Sequence, residues 1–302
     1  MPSWTNATVA PPALDADAAR RLPPTTTAAG ILRPDEFARH ATLARPPSSP
    51  LLDTWVEWYW SVRWDLPQGR RYLSEVVPHP ALHLSVESGE GSRQDHSMPA
   101  ALLTGVVTTR FTVELVGTGR VIGVKFRPGG FGAFSGRNVG AWLDRVVDLR
   151  TLFRDDATRL RDDVLGTESD ADRALLLDAF LLERRPAPDP RYDQVLAVVA
   201  DMLADRTLTR VDDVTERHGI PLRSLQRLFR RYVGVGPKWV LQRYRLHDAV
   251  SLIDSVGIDD LAALAAGLGW YDQAHFTREF TALVGMPPAR YAAQRAAAPA
   301  PG

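Results

Sequence analysis

The chain has 302 residues, 45% hydrophobic and 24% charged, the balance of an ordinary soluble globular protein with length for about two domains. Its 36 basic and 36 acidic residues cancel, so only the distribution of charge can point to an acidic partner. With no cysteine, disulfides, thiolate metal sites, iron–sulfur clusters and cysteine nucleophiles are excluded.

No apolar run approaches the ~18 residues needed to cross a bilayer. The first residues also lack a basic segment followed by an apolar one. A cytoplasmic protein with no membrane partner is expected. Residues 1–29, rich in Pro, Ala and Thr, are predicted to be a disordered tail. From 30 to 185 the signal is β first and helical later. Trp58, Trp60, Val62 and Trp64 alternate with Tyr59, Ser61, Arg63 and Asp65. Runs 81–87, 102–109, 111–116 and 121–126 are rich in strand formers and separated by Gly, Pro and Ser. The expectation is an α+β domain: a small β-barrel or sandwich, with a cupin-like barrel as one form, followed by helices. Within 141–183 the pattern turns helical, and Leu175, Leu176, Ala179, Phe180 and Leu182 fit one buried face.

Prolines 186, 188 and 190 make a stiff linker at 186–190, across which few contacts are expected. Asp189-Pro190 then suits the start of a helix, and everything beyond reads as helix up to a flexible tail at 296–302. Within 191–295 a pattern occurs twice. The first copy spans 211–234 and the second 261–285. Each has a short helix, a glycine (Gly219, Gly269) where the chain turns, and an amphipathic helix ending at glycine (Gly234, Gly285). Leu225 and Phe229 correspond to Phe276 and Phe280. This is a helix-turn-helix pattern, duplicated, in an all-α domain. Residues 237–254 between the copies suit a linker helix of roughly 27 Å, able to hold the units near one DNA turn apart.

Charge separates the copies. Between Arg217 and Arg245 stand eight cations and no acid; from Leu246 to Glu279 six acids oppose Arg278 alone. Phosphate neutralisation dominates DNA affinity, so the first copy is expected to bind harder. On its second helix Leu225, Leu228, Phe229 and Tyr232 form the apolar stripe, leaving Arg223, Gln226, Arg227 and Arg230 outward. Arg can read guanine and Gln adenine in the major groove. The plain alternative is a solvated helix face, and the repeat decides against it.

Several stretches resemble the DNA-binding domain of AraC/XylS-type transcription regulators. They are Arg223-Ser-Leu-Gln-Arg-Leu-Phe229, Gly234-Val-Gly-Pro237, Arg245-Leu246 with Ala249, Asp272-Gln-Ala-His-Phe-Thr-Arg-Glu-Phe280 and Gly285-Met-Pro-Pro-Ala-Arg-Tyr291. Thr215 departs from the usual Ala, and Val240 from a common aromatic. The resemblance implies a sequence-specific, effector-responsive DNA-binding regulator rather than an enzyme. The candidate DNA contacts are Arg223, Ser224, Gln226, Arg227, Arg230, Lys238, Arg245, Gln273, Thr277 and Arg278. Expected partners are double-stranded DNA, RNA polymerase, a small-molecule effector and a second copy of the chain through the N-terminal domain. The 55–64 segment and Gly123-Val-Lys-Phe-Arg-Pro-Gly-Gly130 more loosely resemble N-terminal regions of such regulators.

Trp58, Trp60, Trp64 and His83 are the effector-site candidates, with Trp55 beside them; aromatic core is the plain alternative. His79 and His83, near Glu75 and Glu87, raise a metal site, but no His-x-His pair supports it. No metal, cofactor or catalytic residue is expected. The competing readings are a metal-dependent β-barrel enzyme fused to a DNA-binding module, and an N-terminal domain that only dimerises.

Overall fold

The computed structural model describes residues 30–256 and 260–296. The predicted tail at 1–29 lies outside the described residues, as does 297–302; Ala296 closes the last helix.

The N-terminal half runs α1 (Pro34–Phe37), β1 (Ala41–Ala44), a short 3-10 turn at Pro50–Leu52, β2 (Val56–Asp65), β3 (Arg71–Val76) and β4 (His83–Ser88). It continues through β5 (Ser92–Arg93), β6 (His96–Ser97), β7 (Ala100–Thr104), β8 (Phe111–Val116) and β9 (Thr118–Phe126). Then come α2 (Gly130–Ser135), a 3-10 turn at Val139–Trp142 and β10 (Val146–Asp148). Six strands form one antiparallel sheet in the order β1-β2-β9-β4-β7-β10, and β3 pairs with β8 as a separate ribbon. Among the described residues there is no closed barrel, so the cupin-like form of the expectation is corrected. Two sheets face each other over a cavity instead.

Strand periodicity explains the layering, because alternate side chains take opposite faces. Tyr59, Leu84, Val86, Leu103, Ile122 and Val124 face the helices and are buried in the core. Trp58, Trp60, Trp64, His83, Ser85 and Lys125 take the other face and line the cavity. Trp60 pairs in register with Gly123 and Trp64 with Gly119. A Cβ on Gly123 would sit 2.5 Å from the Trp60 ring, and one on Gly119 2.1 Å from the Trp64 ring. The glycines are there because the indoles lie over them.

The helices α3 (Arg150–Phe153), α4 (Asp155–Gly166) and α5 (Asp170–Glu183) back the large sheet. Residues 143–148 are not helical as expected; they turn and then form β10. The buried face of α5 is also rotated from the predicted one: Ala174, Leu177, Phe180 and Leu181 are buried, whereas Leu175 is 63% exposed and Ala179 is exposed too. Polar groups on the back of β2 cause this. Asp178 accepts the Tyr59 hydroxyl (2.7 Å), and Asp170 accepts Ser61 (2.6 Å) and Arg63 (2.7 Å). Two carboxylates therefore turn toward the sheet, where hydropathy alone would have turned them to water.

The C-terminal half is helical: α6 (Pro190–Ala204), α7 (Val211–His218), α8 (Leu222–Tyr232), α9 (Pro237–Val256), α10 (Leu261–Gly267), α11 (Gln273–Val284) and α12 (Pro288–Ala296). Asp189 caps α6 through Arg191 N (3.0 Å), and Asp272 caps α11 through His275 N (2.6 Å). Gly219 and Gly269 make the two turns at φ of 61° and 80°.

The expectation of few contacts across 186–190 fails. Tyr192 donates to the Thr54 carbonyl (2.8 Å) and Tyr232 to Asp189 (2.6 Å). Gly132 of α2 packs so closely on α8 that a Cβ would stand 2.8 Å from the Tyr232 carbonyl oxygen. One hydrophobic core runs from the sheet through α6 and α8 to Tyr244 of α9. A proline-rich connection sets the path of the chain; it does not decide whether the faces beyond it are apolar.

Candidate nucleic-acid interface and the cavity beside it

In the first unit, α7 and α8 cross over buried Val214, Leu225 and Phe229. That burial turns Arg223, Arg227 and Arg230 outward, all exposed, with Ser224 and Gln226 half-buried beside them. Exposed Arg231 and Lys238 extend the basic surface to the start of α9. In the second unit Phe276 and Phe280 are buried, leaving Gln273 and Arg278 exposed and Thr277 half-buried. The 20 residues of α9 span about 30 Å and join the units.

The cation count needs correcting at two positions. Arg243 is buried and donates to the carbonyls of Pro78 (3.2 Å) and Thr108 (2.9 Å), with its guanidinium over Trp239. Arg245, a candidate DNA contact, instead donates to the Gly269 carbonyl (2.8 Å) and lies over Trp270. It braces α9 against the turn of the second unit. The acids of the second unit are also structural. Asp260 caps α10, and Glu279 accepts from Trp270 (2.8 Å) and Gln242 (2.9 Å). Asp254 accepts from Tyr291 (3.0 Å). Asp259 lies outside the described residues.

Two helix-turn-helix units, each with a polar outward face, are thus joined by one helix, α9. A protein-family model described as "Helix-turn-helix domain" matches residues 214–294, spanning both units. The chain carries an AraC-type helix-turn-helix domain at its C-terminus, and it is a DNA-binding transcription regulator. A second family model, "Domain of unknown function (DUF6597)", matches residues 44–148. An AraC-type DNA-binding protein of Chromobacterium violaceum is 24% identical, with a TM-score of 0.32, over 35% of this chain and 96% of that one. ToxT of Vibrio cholerae is 11% identical, with a TM-score of 0.40, over 78% of this chain and 97% of that one. ToxT bound to an unsaturated fatty acid is 9% identical, with a TM-score of 0.34, over 87% and 95%. No curated protein gives a significant sequence match.

The regulator's cavity, about 660 Å³, lies between the large sheet and the β3–β8 ribbon. Trp58, Trp60, Trp64 and His83, the candidates from sequence, all line it. Trp55 does not; it is buried against Phe134. Lys125, buried, holds its ammonium 4.0 Å from the Trp58 ring centroid, and the Arg45 guanidinium lies 4.5 Å from the same ring. Both were missed, although Lys125 is one of only two lysines and alternates with Val124 and Phe126 on β9. Burial pushes the Lys125 ammonium down; burial, with Lys125 and Arg93 nearby, holds His83 neutral to about 3.

One wall of the cavity has a second job. Gly30, Ile31, Pro34, Val76, Pro78 and His79 line it, and so does Asp254 of α9. Leu32 and Val77, from the same two segments, are buried in one cluster with Leu246, Ile253, Phe276 and Phe280 of the second unit. His79 stacks on His247 of α9, centroids 4.0 Å apart, and burial pushes both imidazoles down, His247 to about 3. Arg295 of α12 pairs with Asp35 (3.1 Å) and Asp254 (2.8 Å). Among the described residues no three His, Asp or Glu side chains converge as a metal site, and no helix is long and apolar enough to cross a membrane.

Proposed function

We propose that the regulator is effector-responsive: a small molecule fills the N-terminal cavity and alters how the second unit is held. The observation that carries this is the shared wall, in which segments 30–34 and 76–79 line the cavity while Leu32 and Val77 seat the second unit. A cavity of this size, largely apolar with a few polar groups, suits a small molecule. The DNA-binding domain is taken as 191–295. Arg223, Gln226, Arg227 and Arg230 of α8, with Gln273, Thr277 and Arg278 of α11, make the DNA contacts; the exposure of Arg223, Arg227, Arg230, Gln273 and Arg278 supports this. Ser224 and Lys238 flank the first set. On its class alone we place the protein in the cytoplasm, without enzymatic activity, with RNA polymerase and a second copy of the chain among its partners.

The test is selection of bound fragments from random DNA by the full-length protein, followed by titration. Two half-sites about one turn apart are expected. Arg227→Ala should cost ~1–3 kcal/mol and relax one base pair. Unchanged affinity and preference would remove Arg227 from the interface. Filling the cavity by Val113→Trp on β8 should change protection of one half-site; unaltered footprints would count against effector response through the wall.

A further inference from the structure

The two helix-turn-helix turns differ in length. From Gly219 to Leu225 the chain takes six steps, and from Gly269 to the corresponding Phe276 it takes seven. In each turn the glycine has positive φ, and the residue after it, Ile220 or Trp270, is buried. The recognition helices then start from Pro221 and Asp272 as their N-caps. The residue with no counterpart in the first unit is Tyr271. It is 94% exposed, more than any other large hydrophobic side chain among the described residues, and no hydrogen bond or ring contact among them holds it.

A recognition helix enters the major groove by its N-terminal residues, so the residue just before its cap stands at the lip of the groove, where the phosphates run. A bare helix N-terminus would attract such a phosphate by itself. Here the Asp272 carboxylate takes the His275 N–H (2.6 Å) and puts a negative charge in that place. Cations give little help: among the described residues of 260–296 the exposed ones are Arg278, in the second turn of α11, and Arg290 of α12. A neutral donor long enough to pass the carboxylate fits the position, and tyrosine is among the side chains that donate to DNA phosphates. We propose that Tyr271 anchors the second unit on the DNA backbone, its hydroxyl donating to a phosphate at the edge of the second half-site. The unit poor in exposed cations thereby gains a phosphate contact that releases no counterion, whereas the first unit makes its contacts through arginines. The ring has only two torsions to fix, so little side-chain entropy is lost on docking. This contact rests on the reading of α11 as the second recognition helix.

The experiment uses the full chain and the DNA site it selects from random fragments. Tyr271→Phe should weaken binding roughly tenfold, the size of one hydrogen bond to a charged group, and leave the slope of log K against log salt unchanged. Tyr271→Arg should bind at least as well as the parent and steepen that slope by about 0.9. Ethylation of single phosphates should find one, at the edge of the second half-site, whose modification weakens the parent and not Tyr271→Phe. Base changes within that half-site should leave the loss in Tyr271→Phe the same, because a phosphate contact carries no sequence preference. Both variants should keep the parental Tm, since the side chain is exposed. Undiminished affinity in Tyr271→Phe, an unchanged slope in Tyr271→Arg, or a lowered Tm overturns the proposal. Normal DNA affinity with lost transcription in Tyr271→Phe also overturns it, and turns the residue toward RNA polymerase. The triple change of Gln273, Thr277 and Arg278 to Ala, measured alongside, separates the two readings. A loss in the triple with none in Tyr271→Phe sinks this contact alone; no loss in either sinks the reading of α11 as well.

Discussion

The two helix-turn-helix units share a fold and differ in what holds them. The first is fused to the N-terminal domain: α8 and α6 share its core, and Gly132 meets Tyr232 backbone to backbone. The second belongs to a separate cluster reached through Leu32, Val77 and α9, with ion pairs at Arg295 around it. Exposed charge follows the same division, with Arg223, Arg227, Arg230, Arg231 and Lys238 on the first side and Arg278 within α11 on the second. One unit is thus fixed and basic, the other seated on a cavity wall and poor in exposed cations. Affinity and response can be divided between two copies of one motif, because burial against a neighbour and charge toward DNA use opposite faces of the same helix.

The hardest blow to this comparison is aimed at charge. Replacing Arg223, Arg227 and Arg230 by Ala should cost on the order of a hundredfold or more in DNA affinity, and each lost phosphate contact should lower the slope of log K against log salt by about 0.9. The corresponding triple change at Gln273, Thr277 and Arg278 should cost less and mainly alter preference in one half-site. Equal losses in affinity and slope from the two triples, measured by titration at several salt concentrations, would erase the difference.

A smaller effect tests the fusion of the first unit. Gly132→Val places a branched side chain against the Tyr232 backbone and should destabilise the protein by about 1–3 kcal/mol in urea unfolding. Hydrogen exchange should quicken in α8 before α11; the reverse order would put the rigid attachment at the second unit.

Acid should act through α9. His79, His83 and His247 are held neutral by burial, while in the unfolded chain they take up protons near pH 6.5. The unfolded state thus binds more protons below that pH, so folded stability is full above it and falls as pH drops, for His83 and His247 down to about 3. Each histidine contributes up to about 1.4 kcal/mol per pH unit. Unfolding at pH 7.5 and 5.5 should show the loss, and His247→Phe, which keeps a ring on His79, should reduce it. An equal loss in the variant would exclude His247 as a contributor.

The mildest prediction concerns Arg295→Ala. It leaves Asp35 and Asp254 without that partner and should cost about 1 kcal/mol. Faster exchange should be confined to α10–α12, and any comparable change in α8 would show that the two units are not held separately.

Much of the molecule is legible in the chain itself. The duplicated helix-turn-helix followed from glycine placement and 3.6-residue periodicity, and both recognition helices turn the expected faces inward. These are local properties: turn conformation, capping and amphipathicity are written within a dozen residues. The tryptophans of β2 were legible as one face for the same reason, with a period of two. What only the tertiary structure decided is which faces meet. Leu175 lies outward because Asp170 and Asp178 find Ser61, Arg63 and Tyr59 on the sheet. Arg243 and Arg245 fold back on the protein because carbonyls of Pro78, Thr108 and Gly269 lie beside them. The linker at 186–190 separates nothing because Tyr192 and Tyr232 are buried against the other domain. In each case the deciding partner stands more than twenty residues away or belongs to another domain, and a polar side chain goes wherever a distant partner satisfies it, whatever its own neighbours in sequence suggest.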